Sequence, residues 1–467
     1  MTTKLFIKDI KLLIRDLKFQ IFFVILFALF IVSAISSTVS YNDFAEEYRK
    51  QYEAYQKKIQ DNANLELQTM IQPRQSITAI TKPSPSVLFT VNDNFPIGMT
   101  NGVMFYEPIL LSGPITTEAF RINWKFILSI MMSFILLILS FESVSGEKRA
   151  GTLRLLSIYG FKRQTILWSK FLSYMILYVI IIAPSALISL ILFFSLTGTW
   201  DVSYMFRFIM ILLLSIPFAS FFIFLGMFIS TLKNYRNAIV VVVSVWLLVV
   251  IIIPQSANIF GERISPIKTN SEYMKEQNET WKTEWQAWID EHGAAVAGAM
   301  DITNGLRPKS IYSADEKRNL LRQQRLNDEN RQWQTIRNIA RVSPFTQFEE
   351  IAEIILDNGA YLYTAMQQTM RNALAQIRNI ILEQDSRDQT SMHAFFSGAS
   401  GVGTPFGMTA FSTQTFEQPG LLFISDIQTD DAMNKTMKII LKLLPIIILN
   451  LILIIGLVIK LERLDIR

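Results

Sequence analysis

The chain has 467 residues, 51% of them hydrophobic and 12% aromatic, and its apolar runs recur at the length of about 20 residues that crosses a bilayer. This composition excludes a soluble enzyme. The chain has no cysteine, which excludes disulfides and catalytic thiols, and its two histidines stand too far apart in the sequence to suggest a zinc site.

Six apolar runs predict six transmembrane helices, and hence an all-α polytopic membrane protein. The predicted spans are residues 19–40, 123–141, 169–197, 204–231, 237–257 and 437–459. Spans two to five form a continuous block, 123–257. The sixth span begins the C-terminal segment 437–467, which ends in a basic tail.

Charge is divided unequally between the short and the long connections. The short stretches, residues 1–18, 142–170, 232–236 and 460–467, hold 16 Lys/Arg against 6 Asp/Glu. The long stretches, 41–122 and 258–436, hold 7 against 9 and 17 against 23. Because Lys and Arg concentrate in cytoplasmic loops, this asymmetry predicts that the short stretches and both termini are cytosolic. No basic patch typical of nucleic-acid binding is evident.

Residues 1–18 have the pattern of an amphipathic helix that lies in the membrane interface and contacts lipid. The apolar side chains on one face are Phe6, Ile10, Leu13, Ile14 and Leu17. The basic side chains on the other faces are Lys4, Lys8, Lys11, Arg15 and Lys18. We interpret the following residues, 19–40, as a first membrane span that is retained, and not as a signal peptide that is cleaved off.

The two long polar stretches predict one extracytoplasmic domain, large and mainly helical, built from two insertions. In the first, 41–122, a helical pattern over 41–72 precedes a proline-rich part that favours irregular or strand-like structure. In the second, 258–436, helical patterns cover 270–291, 314–341 and 346–384, and the remainder has the composition of a loop.

The loop at 142–170 carries the most specific motif. Its spacing E-x-R-x-G-T-L-x-x-L is formed by Glu147, Arg149, Gly151, Thr152, Leu153 and Leu156, and it continues with Arg163, Ile166, Leu167 and Lys170. This pattern resembles the intracellular loop of type-2 ABC transporter permeases, where E-R-x-x-G-T-L-E-x-L-L-x-x-P precedes R-x-x-I-L-x-G-K. Here Ser157-Ile158-Tyr159 lacks the proline, and Ser169 replaces the glycine. The long outer insertions resemble a subset of that family.

The physical character of the loop agrees with the resemblance. Gly151 and Thr152 suit the end of one helical turn and the capping of the next. The short helix after them would have an apolar face from Leu153, Leu155 and Leu156 and a basic face from Lys148, Arg149 and Arg154. The alternative is an ordinary basic cytoplasmic loop, which positive-inside bias alone would produce.

The resemblance implies that the loop forms a coupling helix that docks on a cytosolic ATPase, with the N-terminal helix beside it. It further implies a second permease, identical or related, a location in the bacterial cytoplasmic membrane, and export of a lipid, glycan, peptide or hydrophobic drug. ATP and Mg would be bound by the partner ATPase, because this chain has no Walker signature and its glycine-rich stretch 398–407 lacks the phosphate-binding Lys-Ser/Thr. The permease itself would have no catalytic residue.

The size of the outer region leaves a second hypothesis open. The ATPase cycle could drive an extracytoplasmic partner mechanically, without cargo crossing the membrane. A receptor or scaffold without an ATPase is a third, and the loop motif argues against it. Secondary transport is disfavoured because no acidic residue, arginine or histidine stands at mid-membrane.

Polar and aromatic side chains elsewhere favour structural roles. Trp281, Trp285 and Trp288 share a helical face, either as a platform for cargo or a partner or, as we prefer, as core of the outer domain. The acidic set Glu349, Glu350 and Glu353 predicts a solvated helix face. The cations at the outer ends of the spans, Lys125, Arg207, Lys438 and Lys442, are expected to snorkel. Asn450 is expected to bond a neighbouring helix rather than line a path.

Overall fold

The computed structural model describes residues 2–64, 77–79, 82–89, 97–100, 103–105, 122–232, 235–292, 307–359, 423–424 and 430–463, with scattered positions between 361 and 372. Its helices are α1 (Thr2–Arg15), α2 (Leu17–Asn64), α3 (Met132–Ser140), α4 (Ser145–Arg149), α5 (Thr152–Ile158), α6 (Arg163–Thr197), α7 (Val202–Ile229), α8 (Tyr235–Leu247), α9 (Ile253–Ile264), α10 (Asn270–His292), α11 (Arg307–Ala340), α12 (Pro344–Leu356) and α13 (Ala432–Glu462). Its strands are β1 (Ile77–Ala79), β2 (Ile97–Thr100), β3 (Val103–Phe105) and β4 (Phe423–Ile424).

Six helical segments among the described residues are long and apolar enough to cross a membrane, which confirms the predicted fold class. They are Leu17–Ala54, Phe126–Arg149, Arg163–Thr197, Val202–Ile229, Ala238–Ile264 and Ala432–Glu462. The boundaries differ most at the first span. There the span and the polar helical pattern after it form one continuous helix, α2, of 48 residues, which at 1.5 Å per residue is roughly 70 Å long.

The spans pack around a core of large aromatic side chains. Trp124 is fully buried; its indole N–H donates to Ser189 Oγ at 3.0 Å, and its ring meets Phe30 and Phe208 edge to face at 5.4 and 5.1 Å. These contacts join α2, α6 and α7. Helices α3 and α7 approach so closely that a Cβ built on Gly226 would lie 2.0 Å from Ser140 Oγ, so glycine is required there.

We call the end of the bundle that carries residues 142–162 the loop end, and the end that carries the turn at 198–201 the far end. At the far end, α11 packs against α9, where a Cβ on Gly261 would lie 2.2 Å from Ile336 Cγ1. Helix α10 pairs with α11 through Gln277, which donates to the Arg318 carbonyl at 3.1 Å and accepts from Arg318 Nε at 3.0 Å. The two long polar stretches therefore contain helices, as predicted.

A four-stranded sheet joins the two long stretches. Its strand order is β3-β2-β1-β4, with β1 antiparallel to β2 and parallel to β4. Strand β4 comes from the second stretch and the other three strands come from the first. Strand-like structure after α2 was predicted. The loop predicted for residues 385–435 lies almost wholly outside the described residues.

The predicted helix over 346–384 is interrupted. Helix α12 ends at Leu356, because Asp357 and Gly359 both adopt the left-handed region, with φ of 50° and 57°. A side chain at Gly359 would also collide with Glu353, since a Cβ there would lie 2.8 Å from its carboxyl carbon. The chain therefore turns sharply where the sequence pattern predicted a continuous helix.

The prediction of a solvated acidic face on α12 is wrong. Glu349, Glu350 and Glu353 are all buried, and Glu350 is only 1% exposed. The reason is that α12 packs against α7 and α13, where Phe348 stacks on Phe218 at 4.8 Å. Lys125 and Lys442 do not snorkel to solvent but pair with Glu349 and Glu350.

The tryptophan face of α10 is also more open than expected. Trp281 and Trp285 stack on each other at 6.4 Å, and Trp285 is 38% exposed, so it is not a core residue. They line an open cavity of about 850 Å³ on the surface of α10. The Trp288 side chain lies outside the described residues.

The prediction for Asn450 is confirmed. Its Nδ2 donates to the Pro217 carbonyl of α7 at 3.0 Å and to the Ile446 carbonyl at 2.9 Å. We expect Asn450→Leu to leave the protein assembled and to cost at most about 1–2 kcal/mol, the scale of one interhelical hydrogen bond in a membrane. Thermal unfolding of the purified protein measures this. Complete loss of transport at unchanged stability would contradict the structural role.

Candidate functional site

The predicted coupling loop folds into two short helices, α4 and α5. They are separated by Gly151, whose φ of +70° is left-handed, and α5 is followed by Gly160 with φ +80°. Thr152 does not cap α5 as predicted. Its hydroxyl donates to the Glu147 carbonyl at 3.3 Å, so it satisfies the end of α4 instead. Gly151 and this bond fix the angle between α4 and α5, and Gly160 ends α5.

The loop is anchored to α7 by a serine. Ser230 Oγ accepts hydrogen bonds from the backbone N–H groups of Val144 and Ser145 at 2.8 and 2.9 Å. These are N–H groups at the start of α4, which have no partner inside the helix. The loop therefore begins at a fixed position relative to the end of span four.

The apolar side of the loop faces the bundle. Leu153 is 5% exposed, and Leu156 is also buried in the main hydrophobic core. Of the three leucines predicted to form one apolar face, only Leu155 points outward, with 53% exposed. Leu153 and Leu156 therefore hold the loop to the spans, and the surface open to a partner is formed by other side chains.

A buried polar network connects the loop to α1 and α6. Glu147 pairs with Lys170 at 2.8 Å, and the neighbouring Ser169 hydroxyl donates to Asp9 Oδ2 at 3.1 Å. Burial raises the pKa of Asp9 above its ordinary value, because its effect is larger than the opposite effect of the Lys170 charge. Glu147 is thus an internal ion-pair partner. Lys18 of α2 forms an ion pair with Glu142 of the loop at 3.0 Å, so α2 is connected to the loop as well.

The outward surface of the loop is apolar at its tip and basic around it. We call Leu155, Ile158 and Tyr159 the loop tip; Ile158 is 73% and Tyr159 68% exposed. The exposed basic side chains around the tip are Lys148, Arg149, Arg154 and Lys162. Neighbouring apolar side chains held out in this way, with a polar rim, are typical of an interaction site.

Helix α1 lies against α6 at the same end. Among its described side chains, Leu5 and Asp9 are buried, and the basic Lys8, Lys11 and Arg15 are exposed. Ile7, Leu12 and Ile14 are exposed as well, which fits a helix in the membrane interface. The Lys4 side chain lies outside the described residues. The buried face differs from the predicted one because Asp9, the single acidic residue of α1, points inward.

Sequence reasoning missed Asp9, Ser169 and Ser230. The signal available for Asp9 was its position as the only acidic residue on a helix with four basic ones. Among the residues that the structure describes, no group of three or more His, Cys, Asp or Glu side chains is placed to hold a metal ion.

Comparison with protein families matches most of the chain. Residues 3–343, well over half of the chain and including the whole loop, match the family described as ABC-2 family transporter protein. No curated protein matches the chain. Together with six candidate membrane spans, this match shows that the chain belongs to the ABC-2 transporter family and is a multi-pass membrane permease whose partner is an ABC ATPase.

Proposed function

We propose that the loop tip is the surface on which the ATPase docks, and that its movements drive the permease. The observation that carries this proposal is the opposite exposure of two sets of side chains in one short loop. Leu155, Ile158 and Tyr159 are open to a partner, while Leu153 and Leu156 are embedded in the bundle. A surface of this kind can receive a force from outside and pass it directly to the spans.

Two connections carry the force inward. The Glu147–Lys170 pair joins the loop to α6, and the bonds from Val144 and Ser145 to Ser230 join it to α7. Because both connections are buried or half-buried, water and salt screen them less than exposed ones. A displacement of the tip therefore tilts two neighbouring spans together.

The chemistry of ATP belongs to the partner ATPase, which binds ATP and Mg; the permease contributes positions and movements. We infer that the loop end faces the cytosol with both termini, and that the chain pairs with a second permease, identical or related. Positive-inside asymmetry supports the first inference. The cargo we propose is a lipid, a peptide or another hydrophobic compound, exported across a bacterial cytoplasmic membrane. Mass spectrometry of compounds bound to the purified complex tests this.

One observation favours the alternative, in which the machine moves an extracytoplasmic partner. Helix α2 continues without a break from the first span to Asn64, so its segment beyond the span is a continuous extension of that membrane helix. Such a helix would transmit a tilt of the span far from the membrane. ATP hydrolysis that cargo stimulates in liposomes supports export, and hydrolysis that only an outer partner stimulates supports the alternative.

We expect Ile158→Asp to release the ATPase without unfolding the permease. The side chain is largely exposed, so folding does not depend on it, but a carboxylate would disrupt an apolar docking contact. A loss of about 1.4 kcal/mol already weakens the complex tenfold. Co-purification of the ATPase with the tagged permease, normalised to permease yield, measures the effect.

The matched control is Val202→Asp. Val202 is 78% exposed at the far end, and it begins α7, where an acidic residue suits the helix dipole. This variant should retain the ATPase fully. If both variants retained the ATPase equally, the docking proposal would be wrong, and the loop would be an ordinary basic segment that only sets the membrane topology.

A further inference from the structure

Arg163 stands at the first position of α6, where span three begins, and its side chain reaches another span. Its Nη1 donates to the carbonyl oxygens of Leu461 and Glu462, the last two residues of α13. Helix α13 is span six, and Arg163 and Leu461 lie 298 residues apart in the sequence. The contact therefore joins the start of span three to the end of span six at the loop end of the bundle.

The charge of Arg163 is better placed for span six than for its own helix. Backbone dipoles make the N-terminus of a helix partly positive, which disfavours a cation there, and make the C-terminus partly negative, which attracts one. Leu461 and Glu462 lie among the last four residues of α13, whose carbonyls have no N–H partner within the helix. A guanidinium is permanently charged and can donate several hydrogen bonds. Arg163 therefore caps span six.

Span six is the least embedded of the six spans in the described chain. Only 11% of its most apolar stretch is buried, against 50% and 56% for the corresponding stretches of spans three and four. Its main contact within the chain is with α7, where Asn450 donates to the Pro217 carbonyl and Gly456 lies beside the Phe228 ring. A helix with so little buried surface follows the movement of its neighbours only where it is fastened to them.

The last turns of span six are fastened to span four as well. Lys460 Nζ lies over the Phe228 ring of α7, 4.4 Å from its centre, and Leu457 and Leu461 are buried in the main core. Phe228 stands two residues before Ser230, which anchors the start of the loop. The end of span six is thus held beside both ends of the loop.

The path from the loop tip to Arg163 is short and bonded to α5. Three residues separate Arg163 from Tyr159 of the tip. The Tyr159 N–H donates to the Leu155 carbonyl at 3.0 Å, and the Phe161 N–H donates to the Leu156 carbonyl at 3.2 Å. Continuous networks of hydrogen bonds and packed side chains can carry coupling between sites. A displacement of the tip therefore carries Arg163, and with it the end of span six.

We propose that Arg163 is a positioning residue of the ATP-driven cycle, which fastens the end of span six to the loop so that spans three, four and six move as one body. This proposal rests on the proposed function and adds a third span to the two that the loop moves. Without the Arg163 side chain, the ATPase would still dock and hydrolyse ATP, but span six would lag behind span three.

The absence of native cysteine allows a direct test, because two introduced cysteines are then the only thiols. Leu172→Cys on α6 and Ile455→Cys on α13 stand at exposed positions, and each takes a nitroxide spin label. Pulsed electron paramagnetic resonance measures the distance between the labels in the permease–ATPase complex in lipid nanodiscs, with and without ATP, while phosphate release reports turnover. Single-label samples identify any contribution from a second permease. We expect the same narrow distance distribution in both conditions.

Arg163→Gln should change this result only during turnover. The width of the distribution should at least double with ATP and stay unchanged without it, while the ATPase co-purifies and phosphate release continues. Arg163→Lys should restore a narrow distribution, because a lysine can also donate to the carbonyls at a helix end. The matched control is Arg463→Gln, which removes the same charge from an exposed side chain at the end of α13 and should have no effect.

Three results would overturn the proposal. The first is an equal width with and without ATP in Arg163→Gln, whether narrow or broad, since a contact that only supports the fold does not respond to the cycle. The second is a distance that changes with ATP while Arg163 is present. The third is loss of the ATPase from Arg163→Gln, which would place Arg163 in the docking surface. All three leave the docking proposal standing, because its failure appears separately, as retention of the ATPase by Ile158→Asp.

Discussion

Leu153→Asp should prevent the permease from folding, although the residue belongs to the motif predicted to contact the ATPase. Leu153 is buried in the main core, where burial of a leucine contributes about 1.5–3 kcal/mol. The variant loses that contribution and places a carboxylate where no cation has been arranged for it, which costs several kcal/mol more. The sum approaches the total stability of a typical protein, about 5–15 kcal/mol. Yield of monodisperse protein after detergent extraction measures the effect.

The neighbouring leucine provides the control. Leu155→Asp, two residues along the same helix, changes a side chain that is half exposed and belongs to the loop tip. It should give normal yield and weakened ATPase binding. Normal yield of Leu153→Asp together with a lost ATPase would show that Leu153 contacts the partner after all.

Glu350→Ala should be the most damaging single change at the far end. It removes the carboxylate that Arg337, Arg341 and Lys442 share. Arg337 keeps its pair with Glu353 and Arg341 is partly exposed, so the buried charge of Lys442 bears most of the loss. Removing one partner of a buried pair commonly costs about 3–5 kcal/mol, because the remaining charge is uncompensated. Limited proteolysis should then cut α11 and α12 at protease concentrations that leave the unaltered protein intact. Unchanged protection would contradict the importance of this carboxylate.

The same group predicts a pH dependence. Burial pushes the pKa of Glu350 upward, but the charges of Arg337, Lys442 and Arg341 outweigh it and hold the pKa below its ordinary value of 4.5. A carboxyl group with a lowered pKa contributes its full stability above the ordinary value and loses it as the pH falls through the folded value. Thermal stability should therefore fall in acid below about pH 4. Glu350→Gln should show a smaller acid-induced decrease than the unaltered protein.

The spans were predictable from the sequence because the bilayer imposes a simple rule. A helix that crosses it needs about 20 apolar residues, and six runs satisfy that length whatever their neighbours are. The break at Asp357 was missed because the apolar pattern continues past it, although Asn358-Gly359 is a turn dipeptide that commonly ends a helix. The structure adds why glycine is needed at 359, since a Cβ there would collide with Glu353.

The candidate site was predictable in location but not in orientation. The motif spacing identified the loop, yet Leu153, Leu155 and Leu156 are equivalent by residue type, and only packing on the spans decides which of them is buried. Contacts between side chains that are far apart in the sequence could not be predicted for a related reason. Asp9 meets Ser169, and Glu350 meets Lys442, across 160 and 92 residues of sequence, which no local pattern records.

The most direct test of the coupling account is a photo-reactive amino acid placed at Ile158. Illumination of intact membranes should cross-link it to a polypeptide that mass spectrometry identifies as an ABC ATPase, while the same amino acid at Val202, exposed at the far end, should not form this adduct. An ATPase adduct from Val202 but not from Ile158, or no ATPase adduct from Ile158 while the ATPase still co-purifies, would contradict the account.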